Sequence, residues 1–144
     1  MTLDPLQTLL IQHACAQAIN RFATLNDVGD YAQLAELFSE DGDYTRPSQP
    51  EELISGRTAI LASLTARPAR KTRHLVSNIE VIVTGPDSAH ASSSIALYVA
   101  ALGSDMAVSP FLIGRYDDDL VRQDDRWLFR SRRGRVELRV HFAE

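Results

Sequence analysis

From about residue 70 onward the chain reads almost entirely as strand, and this limits its fold more than any other feature. Four long segments, Thr72 to Thr84, Ala89 to Leu102, Ala107 to Arg122 and Arg126 to Val140, are parted only by GPD, GSD and QDD. Turn sequences this short join antiparallel neighbours, because a parallel return needs a crossover of a dozen or more residues. An antiparallel meander follows. Strands of this length must coil, and a coiled sheet wrapped round a helix leaves a cone with an open mouth, the natural place for a pocket.

The first third of the chain supplies the helices. Asp4, Pro5 and Gln7 make an N-cap, a first-turn proline and a capping-box partner, so a helix is predicted from Pro5. Leu6, Leu10, Ala14, Ala18 and Phe22 recur every fourth residue and give it an apolar face as far as about Leu25. Asp30 and Gln33 open a second helix, with Leu34, Leu37 and Phe38 on its buried side until SEDGD stops it. A third, shorter helix is predicted from Arg57 to Leu64, ended before Pro68. Two brief strands around Tyr44 and Leu53, limited by Pro47 and Pro50, add to the sheet edge. Helices first and long antiparallel strands afterwards predict an α+β fold, three N-terminal helices packed into a strongly curved, mainly antiparallel sheet, as one domain over residues 1–144.

At 144 residues and 44% hydrophobic the chain has room for one core and one enclosed pocket. A net charge of −4 argues against nucleic acid or an anionic membrane as a partner. Arg130, Arg132, Arg133, Arg135 and Arg139 cluster near the C-terminus, but strand alternation splits them between two faces, and they read as solvated or interface charges. With no basic and apolar leader and no stretch of about eighteen apolar residues, a cytoplasmic protein is expected. Cys15, the single cysteine, excludes an internal disulfide and reads as a packed thiol. No nucleotide-binding glycine pattern, H-E-x-x-H or G-x-S-x-G occurs, and His13, His90 and His141 are scattered. Neither a metal nor a cofactor is signalled, which leaves proton transfer as the chemistry to look for.

Two residues are placed for it. Strict alternation along TRHLVSNIEV puts Thr72, His74, Val76 and Asn78 on one mixed face and Leu75, Ile79, Val81 and Val83 on a greasier one. His74 fits either a hydrogen-bonded structural role or a pocket. Asp27, in LNDVGD at the end of the first helix, either helps the chain turn or faces the pocket mouth, where burial and the negative helix end both raise a carboxyl pKa. Asn26, Tyr44, Tyr98 and Tyr116 are polar or amphipathic residues able to join them.

With these elements in order, the sequence resembles a known family. A helix ending in Asp27, Asp30 and Tyr31 is followed by LAELFSEDGDY, SGRTAI, TRHLVSNIEV, GRYDDDLVRQDDRWLF and RSRR. That series resembles the SnoaL-like branch of the nuclear transport factor two-like, or cystatin-like, superfamily, over residues 6 to 138. The resemblance implies three helices wrapped by a bent sheet, and a homodimer through the outer sheet face, which would cover Leu75, Ile79, Val81 and Val83. It also implies cofactor-free proton chemistry on a small cyclic, largely apolar substrate. In the dehydratase and dehydrochlorinase branch an aspartate and a histidine form a dyad, and Asp27 and His74 fall on those positions. Tyr44 falls where the dehydratase polarises a substrate carbonyl. On that likeness His74 is the general base and acid, Asp27 orients it, and Asn26, Val76, Asn78, Tyr98 and Tyr116 touch substrate.

The chain also departs from the dehydratase pattern. The dehydratase's second histidine falls on Tyr98 to Ala100, and its serine and asparagine pair falls near Gly114 and Tyr116. A related lyase or isomerase step is therefore implied, rather than dehydration of scytalone itself. An arginine of the dehydrochlorinase pocket falls on Ser131 or Arg132. The C-terminal half is also similar to the small subunit of aromatic-ring-hydroxylating dioxygenases, which implies a non-catalytic structural role as the alternative; a protein that only binds a small hydrophobic ligand is a third reading.

Overall fold

The computed structural model describes residues 2–143, in the element order α1 (Pro5–Val28), α2 (Tyr31–Ala35), β1 (Phe38–Arg46), β2 (Gln49–Ser55), α3 (Arg57–Thr65), β3 (Lys71–Gly85), β4 (Ser88–Ala100), β5 (Val108–Gln123) and β6 (Arg126–Val140). The α+β expectation holds. One mixed sheet runs β2-β1-β6-β5-β4-β3, with β3 to β6 an antiparallel meander and β1 lying parallel to β6. Among the described residues no helix is long and apolar enough to cross a membrane.

The caps behave as their residue types predict. Asp4 Oδ1 accepts the Gln7 N–H at 2.8 Å, and Gln7 Oε1 accepts the Asp4 N–H in return. At the other end Gly29 takes the left-handed conformation, φ 83°, and its N–H closes on the Leu25 carbonyl. Helix α1 therefore runs to Val28, and Asp27 lies in its last turn.

Two sequence expectations fail for tertiary reasons. Helix α2 stops at Ala35, and Leu37 and Phe38 do not continue it, because the Leu37 carbonyl is taken by the Phe129 N–H at 2.8 Å and Phe38 opens β1. Sheet pairing with β6 outcompetes one further helical turn.

The second failure is in β3. Ser77 pairs with Ser94 and Glu80 with Ser92, so β3 holds one residue more than β4 between those points, and Asn78 sits at φ 53°. This bulge reverses the alternation. Thr72, His74 and Val76 point inward before it, and Ile79, Val81 and Val83 point inward after it, packing on the core. The apolar outer face expected of β3 is thus reduced to Leu75 and Ile82.

The core lies between α1 and the concave face of the sheet. Phe22 is its centre, with edge-on contacts to Phe38, Tyr44, Tyr116 and Phe129 at centroid separations of 5.8–6.2 Å. Truncating such a residue to alanine costs about 3–5 kcal/mol. Cys15 is fully buried, and burial followed by the nearby Asp118 charge pushes its thiol up to about 12, as fits a packed thiol.

Arg132 corrects the reading of the C-terminal arginines as surface charges. Its side chain is 1% exposed, with Nη1 2.9 Å from Asp118 Oδ2 and the guanidinium over the rings of Tyr116, Phe22 and Phe129. Arg133 and Arg135 do remain on the outer face, paired with Asp43 and Asp117.

Candidate active site

A cavity of about 400 Å³ opens at the wide end of the cone. Its apolar walls include Pro47, Pro68, Ile95, Leu97 and Leu112, and its polar side chains include Asn26, Tyr44, Tyr116 and His74. Pro47 is held close against Gly134, where an added Cβ would come within 2.8 Å of the proline ring and nitrogen. A side chain at position 134 would push that wall inward.

His74 and Asp27 meet. His74 Nδ1 stands 2.5 Å from Asp27 Oδ1, Asp27 Oδ2 accepts the His74 backbone N–H at 2.8 Å, and the Thr72 hydroxyl donates to Oδ1 at 2.9 Å. Each donor comes from the first residues of β3 and each acceptor from the last turn of α1, so the helix end and the strand head are fastened together at this carboxylate. Both side chains are about nine-tenths buried. Burial pushes the Asp27 carboxyl up, but the ring and backbone hydrogen bonds of His74, its charge and the Thr72 hydroxyl together outweigh it and hold Asp27 below 3.8. An ionised Asp27 facing Nδ1 places the neutral ring's proton there, which leaves the lone pair on Nε2.

Tyr44 and Tyr116 face each other across the cavity floor, hydroxyl to hydroxyl at 3.3 Å, both almost fully buried. Burial, then the neighbouring Tyr44, pushes the Tyr116 phenol well above its usual value, so Tyr116 stays a hydrogen-bond donor. Asn26 is buried, and its Oδ1 accepts from Arg67 Nη2 at 2.7 Å.

Of the expected site residues, His74, Tyr44, Asn26 and Tyr116 line the cavity, with Asp27 directly behind the histidine. Three do not line it. Val76 faces inward but packs into the core beyond the cavity. Asn78 is the exposed bulge residue and points to the outer side. Tyr98 lies outside: its neighbour Leu97 faces the cavity, while Tyr98 stacks on Phe111 at 4.7 Å.

Sequence reasoning missed Arg46, Arg67 and Arg70, all of which line the cavity. Arg67 and Arg70 carry one signal, the basic run RPAR after α3, while Arg46 at the end of β1 carries none. Among the described residues no group of three or more histidine, cysteine, aspartate or glutamate side chains converges to hold a metal ion.

A six-stranded cone closed by three helices defines a protein of the nuclear transport factor two-like class. Within that class the chain belongs to the SnoaL-like domain family, whose profile matches residues 7–133. Among curated proteins none matches the sequence at a significant level.

The fold has many solved counterparts. A candidate scytalone dehydratase from Novosphingobium aromaticivorans superposes with a TM-score of 0.81 at 23% identity, covering 96% of this chain and 91% of that one. Hexachlorocyclohexane dehydrochlorinase LinA-type3 from Novosphingobium barchaimii does so with 0.80 at 15% identity, covering 98% and 99%. ActVI-ORFA from Streptomyces coelicolor gives 0.75 at 21%, covering 88% and 98%. At these identities the likeness is one of fold.

Proposed function

We propose that the protein is a cofactor-free lyase or isomerase acting on a small cyclic substrate with a largely apolar body. The observation that carries this reading is the 2.5 Å contact between His74 Nδ1 and Asp27 Oδ1 at the wall of a cavity whose lining combines apolar groups and two phenols with Asn26, Ser48 and three arginines. Dehydration and dehydrochlorination are the activities named for two of the structural neighbours, and both are eliminations. In such a step Nε2 of His74 takes a proton from a ring carbon, and the C–H electron pair becomes the new double bond. The leaving group departs from the adjacent carbon with its bonding pair as that double bond forms. Asp27 holds the ring in its reactive tautomer and stabilises the imidazolium that forms. Tyr44, supported by Tyr116, donates a hydrogen bond to the substrate oxygen as charge develops there. For an isomerase the same proton is returned to a different carbon.

A panel of hydroxylated and halogenated cyclic compounds, tested on wild type and on His74→Ala, is the experiment that bears on this. Turnover of at least one compound that disappears in His74→Ala is the expected result. A structural-subunit role predicts no turnover at all and co-purification with a larger oxygenase subunit. Turnover that survives in His74→Ala removes the mechanism.

The outer sheet face supports a homodimer as the working form. Leu75, Ala96, Ile113 and Leu138 pair in turn across β3, β4, β5 and β6 and form one apolar row, with Tyr98 and Phe111 beside it. Between His90 and Tyr98 the outward residues of β4 are small, Ser92, Ser94 and Ala96, so a second sheet can approach closely there.

A further inference from the structure

The cavity carries more positive charge than proton transfer on a neutral ring requires. Arg46, Arg67 and Arg70 all line it, and its lining includes no carboxylate. Six other arginines of the chain, Arg57, Arg115, Arg122, Arg132, Arg133 and Arg135, sit in ion pairs. Among the described residues these three do not, and neither do Arg21, Arg73, Arg126, Arg130 and Arg139, none of which lines this cavity. A chain of net charge −4 has thus gathered three unneutralised guanidinium groups at the cavity that His74 lines.

They are held by neutral groups only. Arg46, the last residue of β1, donates through Nη2 to the Ser63 carbonyl and through Nη1 to Gln49 at 3.3 Å. Arg67 donates through Nε to the Leu64 carbonyl, through Nη2 to Asn26, and lies over the Tyr31 ring at 5.1 Å. Ser63 and Leu64 end α3, so the negative pole of that helix partly offsets the cluster. Donor capacity is left over: Arg46 Nε is buried without a partner, and Arg70 has no hydrogen-bond partner among the described residues. Partial burial, then the charges of Arg67 and Arg46, draws the Arg70 guanidinium below its usual value, as expected of like charges close to one another.

We infer that the substrate is a cyclic acid, an apolar ring body carrying a carboxylate that Arg70, Arg46 and Arg67 hold at the cavity wall. This rests on reading the cavity as the substrate site. A planar carboxylate meets a guanidinium fork with two parallel N–H···O bonds. Anchoring the acid there fixes how the ring lies against His74, which is the orientation a proton abstraction needs.

Binding separates this inference from the mechanism. Cyclic carboxylic acids of one and two rings, each paired with its primary amide, are titrated into wild type, Arg70→Gln, Arg67→Gln and His74→Ala by calorimetry, with a thermal melt of each variant. The acids are expected to bind at least about tenfold tighter than their amides to wild type and to His74→Ala. That preference is expected to shrink several-fold in Arg70→Gln, whose exposed and unpartnered side chain supports no part of the fold. Retention of acid binding in His74→Ala without any turnover in wild type would leave the acid site standing and remove the lyase reading. A panel in which no acid outbinds its amide, or a preference that Arg70→Gln and Arg67→Gln leave intact in folded protein, overturns the inference.

Discussion

Asp27 meets His74 twice, one carboxylate oxygen 2.5 Å from ring Nδ1 and the other accepting the backbone N–H of the same residue at 2.8 Å. The carboxylate therefore sets the ring's tautomer and also pins the head of β3 to the last turn of α1. In Asp27→Asn the amide can still accept the backbone N–H, but its NH₂ group facing Nδ1 favours the wrong tautomer. Turnover on any substrate the protein accepts is expected to fall by about 10²–10⁴-fold. The pH dependence has a defined sign. Asp27 is held below 3.8, so its contribution to stability is present above that value and is lost as pH falls through its lower folded value. The stability gap between wild type and Asp27→Asn, read from urea midpoints, should stay level from neutral pH downward and narrow only below about pH 3.8.

Asn78 gives β3 its change of face. At φ 53° an alanine is expected to cost about 1–2 kcal/mol, whereas glycine should fold as well as asparagine. Deleting Asn78 should be far worse, since Ile79, Val81 and Val83 would then swing to the outer side. Chemical denaturation of the three variants checks this. A deletion as stable as Asn78→Gly would mean the bulge is not needed.

The buried pair of Arg132 and Asp118 is expected to be asymmetric under mutation. Arg132→Met alone leaves a buried carboxylate and should destabilise by about 3–5 kcal/mol, while the double variant with Asp118→Leu should recover much of the loss. Burial, despite Arg132, pushes the Asp118 carboxyl up to about 7. Its folded value lies above its unfolded one, so the native state binds more protons between the two, and wild-type stability should rise as pH falls from about 7 toward 3.8. Melting curves across that range should show this slope in wild type and lose it in the double variant.

The apolar row on the outer sheet face leads to a fourth expectation. Light scattering should give a mass twice the 16.0 kDa chain. Leu138→Asp, in a side chain 59% exposed in the single chain, should give a folded monomer. A wild-type mass of one chain would remove the dimer.

Sequence alone determined the elements and their kinds. Asp4, Pro5 and Gln7 start a helix because side chains three residues apart satisfy its orphan N–H groups, and GPD and QDD bind their flanking strands as neighbours; both are local effects. Period-two alternation also placed His74 on the inner face of β3, because the bulge at Asn78 comes only after it. What the alternation could not supply was Asn78, where one extra residue reverses the faces of everything after it, or the end of α2, which is decided by a β6 strand some ninety residues away. The cavity was the least legible part. Its arginines come from the end of β1 and the segment after α3, and only folding brings them to one wall. Arg132 looks no different in sequence from Arg133, yet one carries a buried charge beneath three aromatic rings and the other a surface ion pair. Partners distant in the chain decide such matters, because a charge is buried or exposed according to what the fold sets opposite it.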